Sequence, residues 1–338
     1  MNRLETGFTL QPRMATLTRM AAELRARGDA AQTEAVTGRP ADLAERLSGR
    51  VAETVRLGGA LDRLAGHAEA IVLAETRVNV VASGLGELRQ LASDLANDAD
   101  IAIAGNLPQG RSAIAASARA ALERAVAVLN LSVGGRSLFA GDATDGPALT
   151  GAAAVLGAGD ALIATGTSGA SAHDALVAGF ADTAGVFGGT IYIGGAGPAP
   201  RAEIAPGETV ALGVRADDPE ARALLAQLVV LTRAFDGSTA LDSQESDRLA
   251  RRAVAGLRES ADELAGTMGR VGVVQERISL VKARNMAEQA GLAIAVNELS
   301  GGDQTAAALR FNAIEGQIGT LFATTARLSG LSLGAFLR

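Results

Sequence analysis

His67 and His173 are the only histidines in the chain, and neither has carboxylates near it at the spacing a metal site needs. Both are expected to be ordinary surface or hydrogen-bonded side chains. Gly194-Gly195-Ala196-Gly197 has the glycine content of a phosphate loop. It lacks both the G-x-G-x-x-G spacing and a following helix, so a β-turn is the better reading. Asp242, Glu245 and Asp247 lie close together without the glycine and spacing of a calcium loop. Acidic side chains there would complement the positive end of a helix dipole. No serine has a histidine and an aspartate placed to activate it. The lack of cysteine excludes disulfides, thiolate metal sites and thiol nucleophiles. No catalytic, cofactor-binding or metal-binding residues are predicted, and no enzyme activity.

The chemistry that remains is that of apolar surfaces. Ile314, Ile318, Leu321, Thr325 and Leu328 step by four and three, which aligns them on one helix face. The stripe continues into Leu331, Leu333, Phe336 and Leu337, with almost no charge after Glu315. Met14, Leu17, Ala21 and Leu24 make a second stripe, preceded by Pro12. The two stripes could close as a hairpin of terminal helices. An apolar stripe this long usually marks an interface, so burial between copies of the chain is expected for Ile314 to Phe336. Met14, Leu17, Leu24, Ile314, Ile318, Leu321, Leu328, Leu331, Leu333, Phe336 and Leu337 are the candidate assembly residues.

Composition fits slim helices better than a large globular core: 48% hydrophobic residues, only 3% aromatic and no tryptophan. The net charge of −6 counts against nucleic acid as a partner. No cleavable leader is expected, because Glu5, Arg13 and Arg19 interrupt the N-terminus and no apolar h-region follows, and no membrane-inserting helix is expected, because glycines with Asp160 and Asp182 break the long apolar stretches.

Along the chain, 41–97 reads as one long helix. Leu57, Leu61, Leu64, Ala68 and Ile71 hold the four-three step, and Val78, Val81, Leu85, Leu88 and Leu95 resume it. After a loop around Pro108, Ser112 is the expected cap of a second helix, which should end at Gly134-Gly135 as a C-cap. Residues 136–214 are rich in Gly, Ala, Thr and Ser and show no lasting helical period. Thr190–Ile193, Ala199–Ile204 and Thr209–Val214 are expected strands of a small α+β or mainly β insert hanging from the far end of the helices. Asp218-Pro219 should start another helix, and 243–299 a second very long one. Gly301-Gly302 should end it, with Asp303 capping a terminal helix.

These residues, taken in order, resemble the flagellin family, and within it the branch that joins hook to filament. The likeness runs through Thr37-Gly38-Arg39, through Gly135-Arg136-Ser137-Leu138-Phe139-Ala140-Gly141, through Tyr192-Ile193-Gly194 and Pro206-Gly207-Glu208-Thr209-Val210, and through the ending Ser332-Leu333-Gly334-Ala335-Phe336-Leu337. Met1 to Gln11 departs from the family's usual start.

The resemblance implies a mainly α fold with a small β-rich insert, long antiparallel coiled-coil helices and paired terminal helices. The expected parts are a terminal assembly helix (1–40), half a helical rod (41–135), the insert (136–216), the other rod half (217–302) and a C-terminal assembly helix (303–338). It also implies a structural subunit of the bacterial flagellum, exported unfolded by the flagellar type III route and assembled as a homo-oligomeric ring. The partners would be a neighbouring hook-associated junction protein, flagellin and an export chaperone. A bulk filament subunit and a soluble coiled-coil interaction module are the alternatives.

Overall fold

The computed structural model describes the backbone of residues 5–40, 51–105 and 108–336, and the side chains of 15–40, 51–105 and 108–327. In chain order the elements are α1 (Glu5–Thr37), α2 (Val51–Gly105), α3 (Pro108–Leu129), the hairpin strands β1 (Ser132–Val133) and β2 (Arg136–Ser137), α4 (Ala152–Ile163), α5 (Gly169–Ala181), a π-helical turn (Phe187–Ile191), β3 (Arg201–Ala205), β4 (Glu208–Ala211), α6 (Pro219–Phe235), α7 (Ser243–Ser300) and α8 (Gln304–Phe336). The fold is mainly α with two small antiparallel sheets, as expected. Among the described residues no helix is long and apolar enough to cross a membrane. The chain divides into two compact units, residues 66–285 and residues 1–65 with 286–338.

The unit of residues 66–285 is built around α6. Leu224, Leu225, Leu228, Val229, Val230 and Leu231 are all fully buried, so this helix is apolar on every side and packs on every side. On α2 the four-three residues Ile71, Val78, Val81, Leu85, Leu88 and Leu95 point inward, and on α7 so do Leu249, Leu257, Leu264, Val271 and Ile278. Polar pairs fix an antiparallel register between the two helices. Asp100 accepts from Arg258, Asn79 from Gln275 at 2.8 Å, and Glu75 from Lys282 at 2.7 Å.

Several boundaries differ from the sequence reading. α2 runs on to Gly105, past the expected end near 97. α3 opens at Pro108 rather than after a Ser112 cap, because proline's fixed φ suits the first helical turn. Ser112 Oγ donates instead to the Gln109 carbonyl at 3.1 Å. Gly134-Gly135 does not cap a helix. Both residues have positive φ, 61° and 76°, and they turn the β1–β2 hairpin, in which Val133 pairs with Arg136. Two successive positive φ angles are what a two-residue hairpin turn requires. Gly135→Ala should therefore cost roughly 1 kcal/mol, the penalty of an L-residue in the left-handed region. A lowered urea midpoint at unchanged m-value would register it.

The insert contains more helix than the texture of 136–214 suggested. α4 and α5 pack on α6, so the insert lies against the helical core instead of hanging free of it. Small residues make this approach possible. A methyl added to Gly159 of α4 would lie 2.4 Å from Val229 Cγ1 of α6. Thr190–Ile193 is not a strand: Phe187–Ile191 forms the π-helical turn, and only Tyr192 pairs, as a single bridge to Leu149. Of the expected strands, β3 and β4 form around the Pro206-Gly207 turn. Phe139, Phe180 and Phe187 are fully buried beneath this region.

Candidate assembly interface

Residues 1–65 and 286–338 contain the pairing that the apolar stripes implied. α1 and α8 run antiparallel against each other. The Arg25 guanidinium sits 5.2 Å from the Phe322 ring centre, and Ile314 packs on Gly28. Arg310 donates to Glu34 Oε2 at 3.0 Å. Asp303 caps α8 by accepting from the Ala306 N–H at 3.0 Å, as its position predicted.

Five of the predicted assembly residues are brought to this hairpin. Leu17 and Leu24 lie on α1 and Ile314, Ile318 and Leu321 on α8, all half-buried. Phe311 and Thr325 share the α8 stripe; Phe311 was not singled out from sequence. Met14, Leu328, Leu331, Leu333 and Phe336 lie within the helices, but their side chains fall outside the described residues, as does Leu337 altogether. None of the five is fully covered, so the pair leaves apolar area accessible. Met20, Leu309 and Phe322 add to it as exposed large side chains. The outer face of α8 carries a shallow groove of about 490 Å³ lined by Gly316, Gly319, Thr320, Ala323, Thr324 and Arg327. These small residues give no hydropathic contrast, so no periodicity revealed them.

Most of the residues weighed for other chemistry have structural partners. His173 lies 3.1 Å by Nε2 from Gln227 Oε1 and 3.2 Å by Nδ1 from Asp174 Oδ1; His67 is half-buried in α2. Asp242 accepts from the Glu245 N–H at 2.8 Å, which caps α7. Glu245 in turn accepts from the Gly169 N–H at 2.8 Å, and Asp247 pairs with Arg111 at 2.7 Å. No group of three His, Cys, Asp or Glu among the described residues is placed to hold a metal.

The Gly194–Gly197 segment does not form an anion cradle, because two of its N–H groups are used internally. Gly195 N–H donates to the Ala140 carbonyl at 2.8 Å and Gly197 N–H to Asp142 Oδ1 at 2.9 Å. Its carbonyls face Arg215, which donates to Ala196 at 3.0 Å and Gly197 at 3.1 Å. Beside it lies a cleft of about 460 Å³ whose lining includes Phe187, Tyr192, Arg215 and Asp217. Burial, then the Asp217 charge, pushes the Tyr192 hydroxyl above its usual range. The hydroxyl donates to the Gly195 carbonyl at 2.9 Å.

Glu220, near the start of α6, links that helix to α7. Burial alone would raise its pKa. Its own backbone N–H, the Thr267 hydroxyl at 2.8 Å and Arg270 at 2.7 Å outweigh that and hold it below the ordinary value. A depressed carboxyl pKa contributes stability above the unfolded value, and loses it as pH falls through the folded one. Glu220→Gln should therefore weaken the protein at pH 7, and the deficit should shrink below about pH 4, where an unfolded carboxylate protonates. Urea unfolding at both pH values tests this; an equal deficit at the two would refute it.

The fold can be set beside known structures. FlgL from Bacillus cereus superposes with a TM-score of 0.53 at 13% identity, over 71% of this chain and 98% of that one. The fold is shared with FlgL. A Vibrio parahaemolyticus chain described as a flagellar hook-associated protein gives a TM-score of 0.49 at 13% identity, over 73% of this chain and 96% of that one. No family model matches the sequence, and no curated protein is significantly similar to it. The likeness to FlgL is thus one of backbone architecture, carried on a sequence that differs at most positions.

Proposed function

We propose that this chain is a structural subunit of the bacterial flagellum that joins hook to filament and polymerises through its α1–α8 hairpin. The observation that carries the reading is that hairpin: two helices from opposite ends of the sequence, paired along stripes that neither covers completely. The architecture shared with FlgL over nearly all of that chain supports it, as does the sequence resemblance through Gly135–Gly141 and Ser332–Leu337. In this reading Met14, Leu17, Leu24, Ile314, Ile318, Leu321, Leu328, Leu331, Leu333, Phe336 and Leu337 meet other copies in a ring and the adjoining hook-associated junction protein and flagellin. A chaperone shields the C-terminal helix before export through the flagellar type III channel. The subunit works by assembly alone, with no catalysis and no cofactor.

Deleting the gene and scoring swimming tests the proposal. Hooks without filaments, with flagellin shed into the medium, are the expected result. Intact filaments and normal swimming would overturn it. Loss of the filament with no shed flagellin would point instead to a bulk filament subunit.

A further inference from the structure

Both long-helix ends in the unit of residues 1–65 and 286–338 are interrupted at the same place. α1 stops at Thr37, where Gly38 takes φ +68° and its N–H closes back on the Glu34 carbonyl at 2.8 Å. α7 stops at Ser300, and Gly301-Gly302-Asp303 separates it from α8. The two breaks touch, because the Gly302 N–H donates to the Gly38 carbonyl at 2.8 Å and the Gln304 side chain covers Gly38. Beyond the second break α8 has its own cap, Asp303, so it does not depend on continuing α7. Hinges are built from a few element-terminal residues able to absorb large φ/ψ changes, and glycine does so at least steric cost.

One side chain bridges the breaks. Glu34 is buried, and its Cγ lies so close to Gly302 that a methyl there would be 2.7 Å away. Its Oε2 accepts from Arg310 at 3.0 Å, while its buried Oε1 has no hydrogen-bond partner among the described residues. A buried carboxylate oxygen left unpaired is unfavourable. The observed position is therefore one in which Glu34 is held but not fully satisfied. Arg310 is about half exposed, which makes the pair a weak fastening.

We propose that Gly38 and Gly301-Gly302 form a paired hinge on which the α1–α8 hairpin swings as one body relative to the end of α7, and that the Glu34–Arg310 pair latches it. The seam residues keep α1 and α8 together during the motion, and the Gly302–Gly38 hydrogen bond is the pivot. Opening frees both Glu34 oxygens to reach solvent, which offsets the lost ion pair. The inference concerns this unit alone and stands whether or not the chain joins hook to filament.

The chain has no cysteine, so spin labels can be placed at will. One pair, Ala290→Cys with Gln317→Cys, reads α7 against the hairpin. A second pair, Arg27→Cys with Gln317→Cys, reads within it. All three positions are exposed and lie outside the seams. Electron–electron distance measurements on the full chain should give one narrow distance for each pair. Glu34→Gln should add a second, separate 290–317 distance and leave 27–317 unchanged. Arg310→Gln, altered at an exposed end of the same contact, should do the same even if the Glu34 variant misfolds. A 290–317 distance that stays single in both variants overturns the proposal. So does a 27–317 distance that broadens together with it, since the hairpin would then be unravelling.

Discussion

Leu321→Asp is expected to abolish polymerisation of the full chain while the unit of residues 66–285 stays folded. Leu321 is half-buried on α8. The contacts of Gly28 with Ile314 and Arg25 with Phe322 set it level with the stretch of α1 that carries Ala21 and Leu24. A carboxylate placed in that seam, without a partner, costs on the order of several kcal/mol. The cost falls on residues 1–65 and 286–338, and the core around α6 contains no part of the hairpin. Far-UV circular dichroism should therefore retain most of its helical signal, while electron microscopy finds no polymer. Loss of the helical signal from the 66–285 unit would mean that the seam supports the monomer's own core. Normal polymers would mean that assembly uses another surface.

Phe139→Ala should be the most damaging single truncation in the unit of residues 66–285. Phe139 is fully buried. A methyl on Gly84 of α2 would reach its ring at 3.7 Å, and its carbonyl accepts from the Ala216 N–H at 2.8 Å. The ring thus fills the corner where the hairpin β1–β2 returns to the helices. Removing a buried phenyl costs about 3–5 kcal/mol, the lost transfer energy plus that of the cavity left behind. In a unit of this size that lowers the melting temperature by roughly 10 °C. Calorimetry of the purified chain reads it directly. A fall of only one or two degrees would show that the corner collapses around the void.

The long helices were legible because leucines and valines at four-three spacing contrast with the Arg, Glu and Asp between them. α6 was legible as a helix from Asp218-Pro219, but its place at the centre was not drawn from its apolar run, Leu224 to Leu231, in which Gln227 is the one polar residue. α4 and α5 stayed hidden for the opposite reason. Their alanines and glycines differ little in hydropathy from face to face, and the glycines serve close packing on α6 rather than chain breaking. Gly134-Gly135 was misassigned because one dipeptide suits both a helix C-cap and a hairpin turn. The choice was made by the pairing of Val133 with Arg136, which lies beyond any local window. In the α1–α8 hairpin the stripes on both helices could be read. The Glu34–Arg310 contact could not, since it joins residues 276 positions apart.

The core of residues 66–285 also fixes when it can form. Its inward faces come from α2, early in that stretch, and from α7, at its end, with α6 between them. A chain delivered N-terminus first, from a ribosome or through a narrow conduit, must present Ile278 before Ile71 and Val78 find their cover. Until then α2 and α3 carry bare aliphatic rows. Contacts this distant in sequence close slowly, and the waiting intermediate is prone to self-association. Lateness is therefore built into the topology: the core of residues 66–285 cannot close until α7 is available.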